Sequence, residues 1–533
     1  SYNPLRQLEE MEDWLGITRI ENDPMGRALK VQYPDGKEVS YTYGKGGERT
    51  GITYPDGRTA SYLYDSSLRL AGLKDGEDTI TYGYDERGRL SRKTFPNGME
   101  TSYAYDIKGQ LMELTHRDQE GVLDCYVYGY DLMGNKTTIE KQRRGLPEES
   151  GAYAYRYDAM GRLAGVSKDG QPLRTYEYDA FGNRSLLREG GRETAYVYNA
   201  MNQLIQKTDV MNEETYAYDK RGNLSLILEN GDIRDRYLYG ALNRLEQAVN
   251  GKGEAAAYEY NGLGHRVGKT SGAMEGMAGM QDKAGNGILK GTDVMDPLSR
   301  LKEQTIRPET KIEYTIDLTR QYHNLLEKEE RGNTQSYLWD GNVAGMREET
   351  GRESCYYLQD ELGSPIRLMD RNGELAESYG YDEFGQDLYW DRRETGSIQP
   401  FGYTGYQYDK TAGTYYAQAR EYRAELGRFA AVDTIKGFTS VPYTLNEYGY
   451  CWNNPMVLVD WDGAWPKWME KVGGAIKDGW DGLCDGVSYV WNNYIYGEDT
   501  TEIIVPETSV DGLGGVYLSE ETTRTTHTGG HIL

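Results

Sequence analysis

The stretch Tyr82-Gly-Tyr-Asp-Glu-Arg-Gly-Arg-Leu90 decides the fold, because the chain repeats its pattern. Tyrosine, any residue and tyrosine occur eleven times between residues 41 and 260, usually followed by aspartate and, two or three residues later, by glycine. The second tyrosines of successive copies are 20 to 27 residues apart. A period of this length indicates that one supersecondary unit is stacked many times.

One copy of the repeat is predicted to be a strand, a turn and a return strand. The two rings of Tyr-x-Tyr lie on the same face of a strand, because side chains alternate with a period of two. Aspartate followed by glycine favours a turn, since the carboxylate bonds backbone N–H groups and glycine accepts a positive φ. Arg-Leu or Asn-Leu then begins the return strand, as in a hairpin. We expect the tyrosines to be packing residues of an antiparallel sheet.

The composition favours a thin sheet over a thick apolar core. The chain has 48 tyrosines but 6 phenylalanines, and only 38% of its residues are hydrophobic. A long, twisted, all-β sheet around a polar interior fits this composition. The net charge of −25 argues against nucleic acid as a partner of the repeats.

The remaining composition predicts neither a cofactor nor a membrane span. No run of eighteen apolar residues occurs, so no transmembrane helix is expected. The chain starts inside what looks like a repeat and without a signal-peptide pattern, so we expect a piece of a longer protein. The cysteines lack metal-ligand spacing and are interpreted as scattered free thiols. They are Cys125, Cys355, Cys451 and Cys484.

The pattern divides the chain into four segments. Residues 1–40 are interpreted as an incoming repeat, and residues 41–354 as the repeat array. A flexible insertion rich in glycine and methionine is predicted at 269–310. Residues 355–464 are denser in aromatic side chains and have no fixed period, and residues 465–533 have a third composition.

The third segment carries several specific motifs. They are Tyr356-Tyr-Leu-Gln-Asp-Glu-Leu-Gly-Ser-Pro-Ile-Arg367, Tyr379-Gly-Tyr-Asp-Glu-Phe-Gly385, Phe401-Gly-Tyr-Thr-Gly-Tyr-Gln-Tyr-Asp409, Gly427-Arg-Phe429, Asn453-Asn-Pro455 and Val459-Asp-Trp-Asp-Gly463. With the repeats, they resemble the Rhs/YD-repeat family, whose members include polymorphic toxins, the C component of insecticidal toxin complexes and the animal teneurins. The resemblance covers residues 40–463.

The resemblance implies a spiralling antiparallel ribbon that forms a hollow shell, with 355–464 as a core domain that plugs one end. In bacterial members the shell encloses the polypeptide that follows the core, and the core is a self-cleaving aspartyl protease. The implied partners are the chain's own C-terminal segment as cargo, an immunity protein and a secretion or delivery partner. The implied location is outside a bacterium or on its surface.

The resemblance also implies a catalytic pair. By motif position the pair is Asp433 and Asp460, with Asp462 as a substitute. Two carboxyl groups that share a proton can act as base and acid, because proximity separates their pKa values. Arg428 is expected to hold a carboxylate or the scissile strand, a role that the resemblance implies less directly. The expected cut lies between Ala464 and Trp465.

An uncleaved chain is the alternative. Thr434 and Trp461 follow the two aspartates where the family usually has proline, and Ala464 stands where leucine or an aromatic is usual. Under this reading Asp433 and Asp460 cap turns, as in the non-cleaving teneurins. The protein would then be a cell-surface adhesion or carbohydrate-binding protein.

The last 69 residues, 465–533, are the expected cargo. Apolar residues three and four apart between Trp468 and Trp491 predict a helix, which either packs on the shell or, as a less favoured alternative, contacts a membrane. Residues 498–533 are expected to be disordered or loosely extended. His527 and His531 lack further ligands, so no metal site is predicted. No effector signature is evident.

Overall fold

The computed structural model describes residues 1–274, 306–320, 322, 324–349, 354–389, 397–434 and 445–464, and the backbone of two short strands further on. The chain forms two compact units, of which one is Thr42–Trp468, and Ser1–Tyr41 belongs to the other. The predicted helix after Trp468, Trp465 and most of the tail 498–533 lie outside the described residues, and within that tail the structure describes the backbone of Ser509–Val510 and Val516–Tyr517.

Strands make up nearly all of the regular structure in the described ranges. The first strands are β1 (Glu10–Asp13), β2 (Gly16–Asn22), β3 (Ala28–Gln32), β4 (Glu38–Tyr43), β5 (Arg49–Thr53), β6 (Thr59–Tyr64), β7 (Leu70–Asp75), β8 (Asp78–Tyr84), β9 (Leu90–Thr94), β10 (Glu100–Tyr105), β11 (Leu111–Asp118), β12 (Gly121–Tyr130), β13 (Lys136–Arg143), β14 (Gly151–Tyr157), β15 (Leu163–Lys168), β16 (Gln171–Tyr178), β17 (Arg184–Glu189), β18 (Arg192–Tyr198) and β19 (Leu204–Thr208). They are followed by β20 (Glu213–Tyr218), β21 (Leu224–Glu229), β22 (Asp232–Tyr239), β23 (Leu245–Asn250), β24 (Glu254–Tyr260), β25 (Arg266–Met274), β26 (Ile306–Ile316), β27 (Leu325–Glu330), β28 (Asn333–Trp339), β29 (Val343–Glu348), β30 (Ser354–Gln359), β31 (Pro365–Asp370) and β32 (Leu375–Ser378).

A smaller set of elements follows the long sheet. It consists of β33 (Gln407–Asp409), β34 (Thr414–Ala417), β35 (Arg420–Arg423), β36 (Arg428–Phe429), β37 (Ser509–Val510) and β38 (Val516–Tyr517), with 3₁₀ turns at Tyr403–Gly405 and Cys451–Asn453. Strands β33 to β36 form one antiparallel four-stranded sheet.

Each repeat is an antiparallel hairpin, as predicted. Strands β6 and β7 pair through Tyr62 and Leu73, and a β-bulge lies between Leu63 and Tyr64. In the turn that follows, one carboxylate oxygen of Asp65 accepts the N–H groups of Ser67 and Arg69 at 2.8 and 3.0 Å. The aspartate therefore supplies the acceptors that the turn needs, and the same contact recurs along the array.

The two tyrosines of a repeat have different structural roles. The first ring is buried, as in Tyr62 and Tyr176. The second donates its hydroxyl to a carbonyl at the start of the preceding repeat strand, as Tyr178 does to Leu163 at 2.8 Å and Tyr84 to Leu70 at 2.8 Å. The prediction that these tyrosines are packing residues is confirmed, and the second tyrosine also ties strands together.

The predicted insertion at 269–310 is wrong at both ends. Residues 269–274 belong to β25 and residues 306–310 to β26, and the two strands pair from Gly268 with Glu313 to Met274 with Ile306. The array continues here because strand pairing satisfies the backbone of these residues whatever their side chains. Residues 275–305 lie outside the described part of the chain.

The change in composition at Cys355 does not end the sheet. Strand β30 pairs with β29, β31 with β30 and β32 with β31, so the long sheet continues to Ser378. The turn after β30 has the same hydrogen bonds as the repeat turns, since the Asp360 carboxylate accepts hydrogen bonds from the N–H groups of Leu362 and Ser364 at 3.0 and 2.8 Å.

The later strands of the unit Thr42–Trp468 pack against its earlier ones. The Tyr54 hydroxyl donates to the Tyr337 carbonyl at 2.6 Å, and Tyr62 donates to Trp339 at 3.1 Å. Further along, ion pairs join cations of the repeats to anions of the later residues. They are Arg49–Asp317, Lys93–Asp340, Lys136–Glu361, Arg174–Glu383, Arg234–Glu425 and Arg266–Glu421.

The four-stranded sheet β33–β36 is built on a cluster of buried aromatic rings. Its members are Tyr403, Tyr406, Tyr415, Tyr422, Phe429 and Tyr450, each at most 4% exposed. This cluster fixes β35 and β36, the two strands that lead to the predicted catalytic residues.

Candidate functional site

The structure brings the predicted aspartates of 355–464 together. Asp433 follows β36 and donates its backbone N–H to the Glu447 carbonyl at 3.1 Å. Asp460 and Asp462 lie near the end of the described residues and are 1% and 6% exposed. The Tyr406 hydroxyl donates to the Asp460 carbonyl, which fixes that segment on the aromatic cluster.

Arg420 on β35 joins Asp433 to Asp460. Its Nη2 lies 2.8 Å from Asp433 Oδ2 and 3.4 Å from Asp460 Oδ2. Because both oxygens contact one nitrogen, the two carboxyl groups cannot be further apart than these distances together. Residues separated by 27 positions in sequence are thereby placed in one site.

The rest of the Arg420 guanidinium is also engaged. Nη1 donates to the Glu447 carbonyl at 3.0 Å and Nε donates to the Gly463 carbonyl. The guanidinium carbon lies 3.6 Å from the centre of the Phe429 ring. Because each nitrogen of this planar guanidinium group is held by a partner, the group has one orientation, and Arg420 is therefore suited to positioning other groups.

The backbone just before the expected cut is held on three consecutive residues. Ala419 N–H donates to the Asp462 carbonyl at 2.9 Å, and Arg420 holds the Gly463 carbonyl. The Ala464 N–H lies 3.1 Å from one carboxyl oxygen of Asp460 and 3.1 Å from one of Asp462. This arrangement fixes the peptide that leads to the Ala464 carbonyl.

Gly463 is required by its surroundings. Its φ is +69°, and a Cβ at this position would collide with the Ala417 carbonyl oxygen. That carbonyl belongs to a tight turn in which Ala419 N–H donates to Ala417 O at 2.7 Å and Gln418 has a φ of 58°. A three-residue turn with positive φ is rare and strained, and such strain is typical of functional sites.

The site separates the carboxyl groups electrostatically. Burial raises the pKa of Asp460 well above its ordinary value, and the charges of Asp462 and Asp433 raise it further, while Arg420 opposes them. Asp433, by contrast, is paired with Arg420 at 2.8 Å. A carboxyl group with a raised pKa beside a carboxyl group paired with arginine is the kind of pair that general acid–base chemistry uses.

Arg428 does not contact either aspartate, contrary to the expectation. Its Nη2 donates to the Asn202 carbonyl at 2.5 Å, and its guanidinium lies 4.9 Å from the ring centres of Tyr198 and Tyr448. Phe429 faces Arg420, so its neighbour Arg428 points to the opposite side of β36, because side chains alternate along a strand. Arg428 therefore anchors this segment to the repeats.

The two residues that replace proline have different environments. Thr434 is exposed, whereas the Trp461 ring packs 5.1 Å from the Tyr322 ring centre. Sequence reasoning missed Arg420 and the turn before it. The sequence around Tyr415 and Tyr422 gave no reason to choose Arg420 over the other arginines nearby.

Several other features bear on the choice of chemistry. Among the described residues, no group of three or more His, Cys, Asp or Glu side chains could hold a metal ion. No helix within the described ranges is both long and apolar enough to span a bilayer. Within the described part of the chain, Cys125, Cys355 and Cys451 are not joined in disulfides.

The sequence model of the teneurin YD-shell matches residues 2–131, 126–275 and 317–456. The chain belongs to the teneurin YD-shell family. Toxin protein Tse5 of Pseudomonas aeruginosa is 28% identical over 372 residues, which are 62% of this chain and 26% of Tse5. The tRNA nuclease WapA of Bacillus subtilis is 27% identical over 331 residues, 61% of this chain and 12% of WapA. Teneurin-4 of Mus musculus is 25% identical over 362 residues, 65% of this chain and 11% of teneurin-4.

Two solved structures have a similar fold. The crystal structure of TcdB2-TccC3 matches with a TM-score of 0.63 at 18% identity, over 86% of this chain and 25% of that one. The Photorhabdus luminescens Tc holotoxin pore matches with a TM-score of 0.58 at 17% identity, over 87% and 24%. This chain thus spans less than a third of each of the curated relatives and solved structures described here.

Proposed function

We propose that this chain is the shell and self-cleaving core of a bacterial Rhs-type toxin. In this proposal the repeats of 41–354 form a container, 355–464 is the core domain that plugs it, and 465–533 is the enclosed effector. The core cuts the chain between Ala464 and Trp465 and so frees the effector inside the container. The toxin relatives Tse5 and WapA support a toxin, and the geometry around Arg420 supports the cleavage.

The observation that carries the cleavage is the shared contact of Arg420. One guanidinium binds both predicted catalytic carboxyl groups and the carbonyl of Gly463, one residue before the carbonyl that would be attacked. A turn-capping role alone would not require the two aspartates and this carbonyl to meet on one side chain.

In the proposed mechanism Asp433 is the base and Asp460 the acid. Asp433 takes a proton from a water molecule as its oxygen bonds to the Ala464 carbonyl carbon, and Asp460 gives its proton to the carbonyl oxygen. When the carbon–nitrogen bond breaks, the proton on Asp433 passes to the Trp465 nitrogen and Asp460 regains its own. One water molecule is consumed, and the products are a carboxyl group at Ala464 and an amine at Trp465.

Cleavage is tested by denaturing electrophoresis of the purified chain. The wild type should separate a fragment of 69 residues, 465–533. Asp433→Asn and Asp460→Asn should each leave the chain intact. Asp158→Asn is the matched control, because Asp158 caps a repeat turn far along the chain and should not affect the cut. An intact wild-type chain, or a fragment that persists in both aspartate variants, contradicts the proposal.

The teneurin relative supports a second candidate. Teneurin-4 matches 65% of this chain, and Thr434 and Trp461 stand where proline is usual in the family. The chain would then be an uncleaved adhesion or carbohydrate-binding shell on a cell surface. The same electrophoresis separates the candidates, since this one requires a single intact chain.

The remaining partners follow from the first proposal. A toxin needs an immunity protein in the producing cell and a secretion or delivery partner, and the shell would be secreted or displayed at the cell surface. Growth arrest of bacteria that express 465–533 alone, relieved by co-expression of a neighbouring small protein, would support these partners.

A further inference from the structure

A third carboxyl group takes part in the candidate site. The Ala464 N–H lies 3.1 Å from an oxygen of Asp460 and 3.1 Å from an oxygen of Asp462, so these two buried carboxyl groups lie beside each other at one donor. Two carboxyl groups this close in a buried site cannot both ionise comfortably. Asp460 and Asp462 therefore hold one proton between them.

We propose that Asp462 is a positioning residue that keeps this proton on Asp460, so that three carboxyl groups have three separate roles. This inference rests on the proposed self-cleavage. Asp433 would be the ionised base, Asp460 the acid that donates the proton, and Asp462 the ionised neighbour that retains it. Asp462 itself would form no bond to the reacting atoms.

The groups around Asp460 explain why Asp462 is suited to this role. From the neighbouring elements Asp460 is faced by Arg420, Asp433, Tyr406 and Cys451. Arg420 lowers the pKa of Asp460, and it lies closer to Asp433 than to Asp460, at 2.8 against 3.4 Å. The negative charge of Asp433 is thus partly balanced.

Asp462 exerts the larger effect of the two acidic neighbours. After burial, the charge of Asp462 is the largest influence that raises the pKa of Asp460. Asp462 is 6% exposed, so water screens this interaction weakly. The shared Ala464 N–H also fixes both carboxyl groups beside the residue whose carbonyl is attacked.

The proton transfers remain balanced with Asp462 present. Asp460 donates its proton to the Ala464 carbonyl oxygen, and when the intermediate collapses the hydroxyl proton returns to Asp460. Asp462 neither gives nor takes a proton in these steps, so its role is to control how far up the pH scale Asp460 stays protonated.

The test is the pH profile of self-cleavage. The full chain is recovered uncut from inclusion bodies in guanidinium and diluted into buffers between pH 4.5 and pH 8.5, and intact-mass spectrometry follows the 465–533 fragment. The cleavage rate of the wild type should fall at the pH where Asp460 loses its proton. Asp462→Asn should move this fall at least one unit lower, which is tenfold slower cleavage at a fixed pH above it. Asp462→Glu keeps the charge and should restore the wild-type profile.

The outcomes separate this inference from the proposed function. A profile of Asp462→Asn that falls at the wild-type pH overturns the role of Asp462, and so does equal loss of cleavage at every pH. If the wild type is not cut at any pH, the proposed function fails.

The unfolding free energy of uncut chains, measured against pH, then tests the role of Asp462 without any cleavage. A carboxyl group whose pKa is higher in the folded state stabilises the fold below its unfolded pKa, and this stability is lost as the pH rises through the folded pKa. In the Asp433→Asn chain, adding Asp462→Asn should reduce the loss of unfolding free energy between pH 5 and pH 8. An unchanged loss contradicts the proposal.

Discussion

Arg420 and Asp433 form an ion pair of 2.8 Å in which the arginine side chain is 4% and the aspartate side chain 15% exposed. The same arginine nitrogen reaches Asp460, and its Nε holds the carbonyl of Gly463. A single side chain thus sets the distance between the candidate acid, the candidate base and the peptide to be cut.

Replacing Arg420 should stop cleavage. Arg420→Gln removes the charge and the fork that holds two carboxyl groups, and we expect cleavage at least about 10²-fold slower, as for loss of one preorganised donor. Arg420→Lys keeps the charge but not the fork, and should recover only part of the rate. Arg428→Gln is the control, since Arg428 contacts the repeats and not the aspartates, and it should still be cut. Equal cleavage in the two glutamine variants would contradict the role of Arg420. Time-resolved intact mass after refolding measures each rate.

Gly463→Ala should prevent cleavage without unfolding the chain. The added Cβ would collide with the Ala417 carbonyl oxygen, and alanine is strained at a φ of +69°. Gly161→Ala is the matched control, because Gly161 has a φ of +78° but open space around its Cβ position. Both variants should lose about 1–2 kcal/mol from backbone strain, whereas only Gly463→Ala should remain uncut. Electrophoresis and thermal unfolding together distinguish strain from collision.

The turn at Asp360 should make stability depend on pH. Burial and the neighbouring Glu361 raise the pKa of Asp360 to about 7. The folded chain therefore holds an extra proton between about pH 4 and pH 7, and the stability it contributes is lost as the pH rises through this range. Asp360→Asn keeps the turn contacts and cannot ionise, so its Tm at pH 8 should exceed the wild-type value by about 1 to 3 °C. At pH 4 the two Tm values should agree closely.

Asp65→Asn should change Tm at pH 8 in the opposite direction to Asp360→Asn. The N–H and side chain of Arg69 lower the pKa of Asp65, so its ionised form stabilises the fold above the ordinary aspartate pKa and that stability is lost in acid. Asp65→Asn should therefore lower Tm at pH 8. If both substitutions shift Tm in the same direction at pH 8, the electrostatic account of the two turns is wrong.

Leu68 occupies a position that favours glycine. Its φ is 60°, whereas the equivalent residue of the next repeat is Gly88 with a φ of 81°. The Leu68 side chain is 55% exposed, so little packing is lost when it is removed. Leu68→Gly should raise the free energy of unfolding by about 0.5–1 kcal/mol, the left-handed strain less the entropy of glycine. The reciprocal Gly88→Leu should lower it by about 0.5–1 kcal/mol for the same reason, and urea unfolding of both chains measures the pair.

The repeat chemistry was predictable because it is local. Aspartate bonds the backbone two and four residues ahead, as at Asp65, and alternation places both tyrosines on one face. The return of the later strands, such as Tyr337 on Tyr54, was not predictable, because no local pattern specifies which distant strand a tyrosine hydroxyl reaches.

The site was predictable only in part. The aspartates came from motif positions, whereas Arg420 and Arg428 lie in similar strand contexts that do not show which side chain faces Asp433. The two-residue strand β36 determines which arginine lies beside Asp433, because it places Phe429 toward Arg420 and Arg428 away from it. The prediction of a flexible insertion over 269–310 was wrong at its two ends, since side-chain composition says little about backbone pairing.

The most direct test of self-cleavage is the intact mass of the denatured full chain, measured beside Asp460→Asn. The account predicts two polypeptides for the wild type, residues 1–464 and residues 465–533, and one polypeptide of 533 residues for the variant. A single wild-type polypeptide of 533 residues would contradict it.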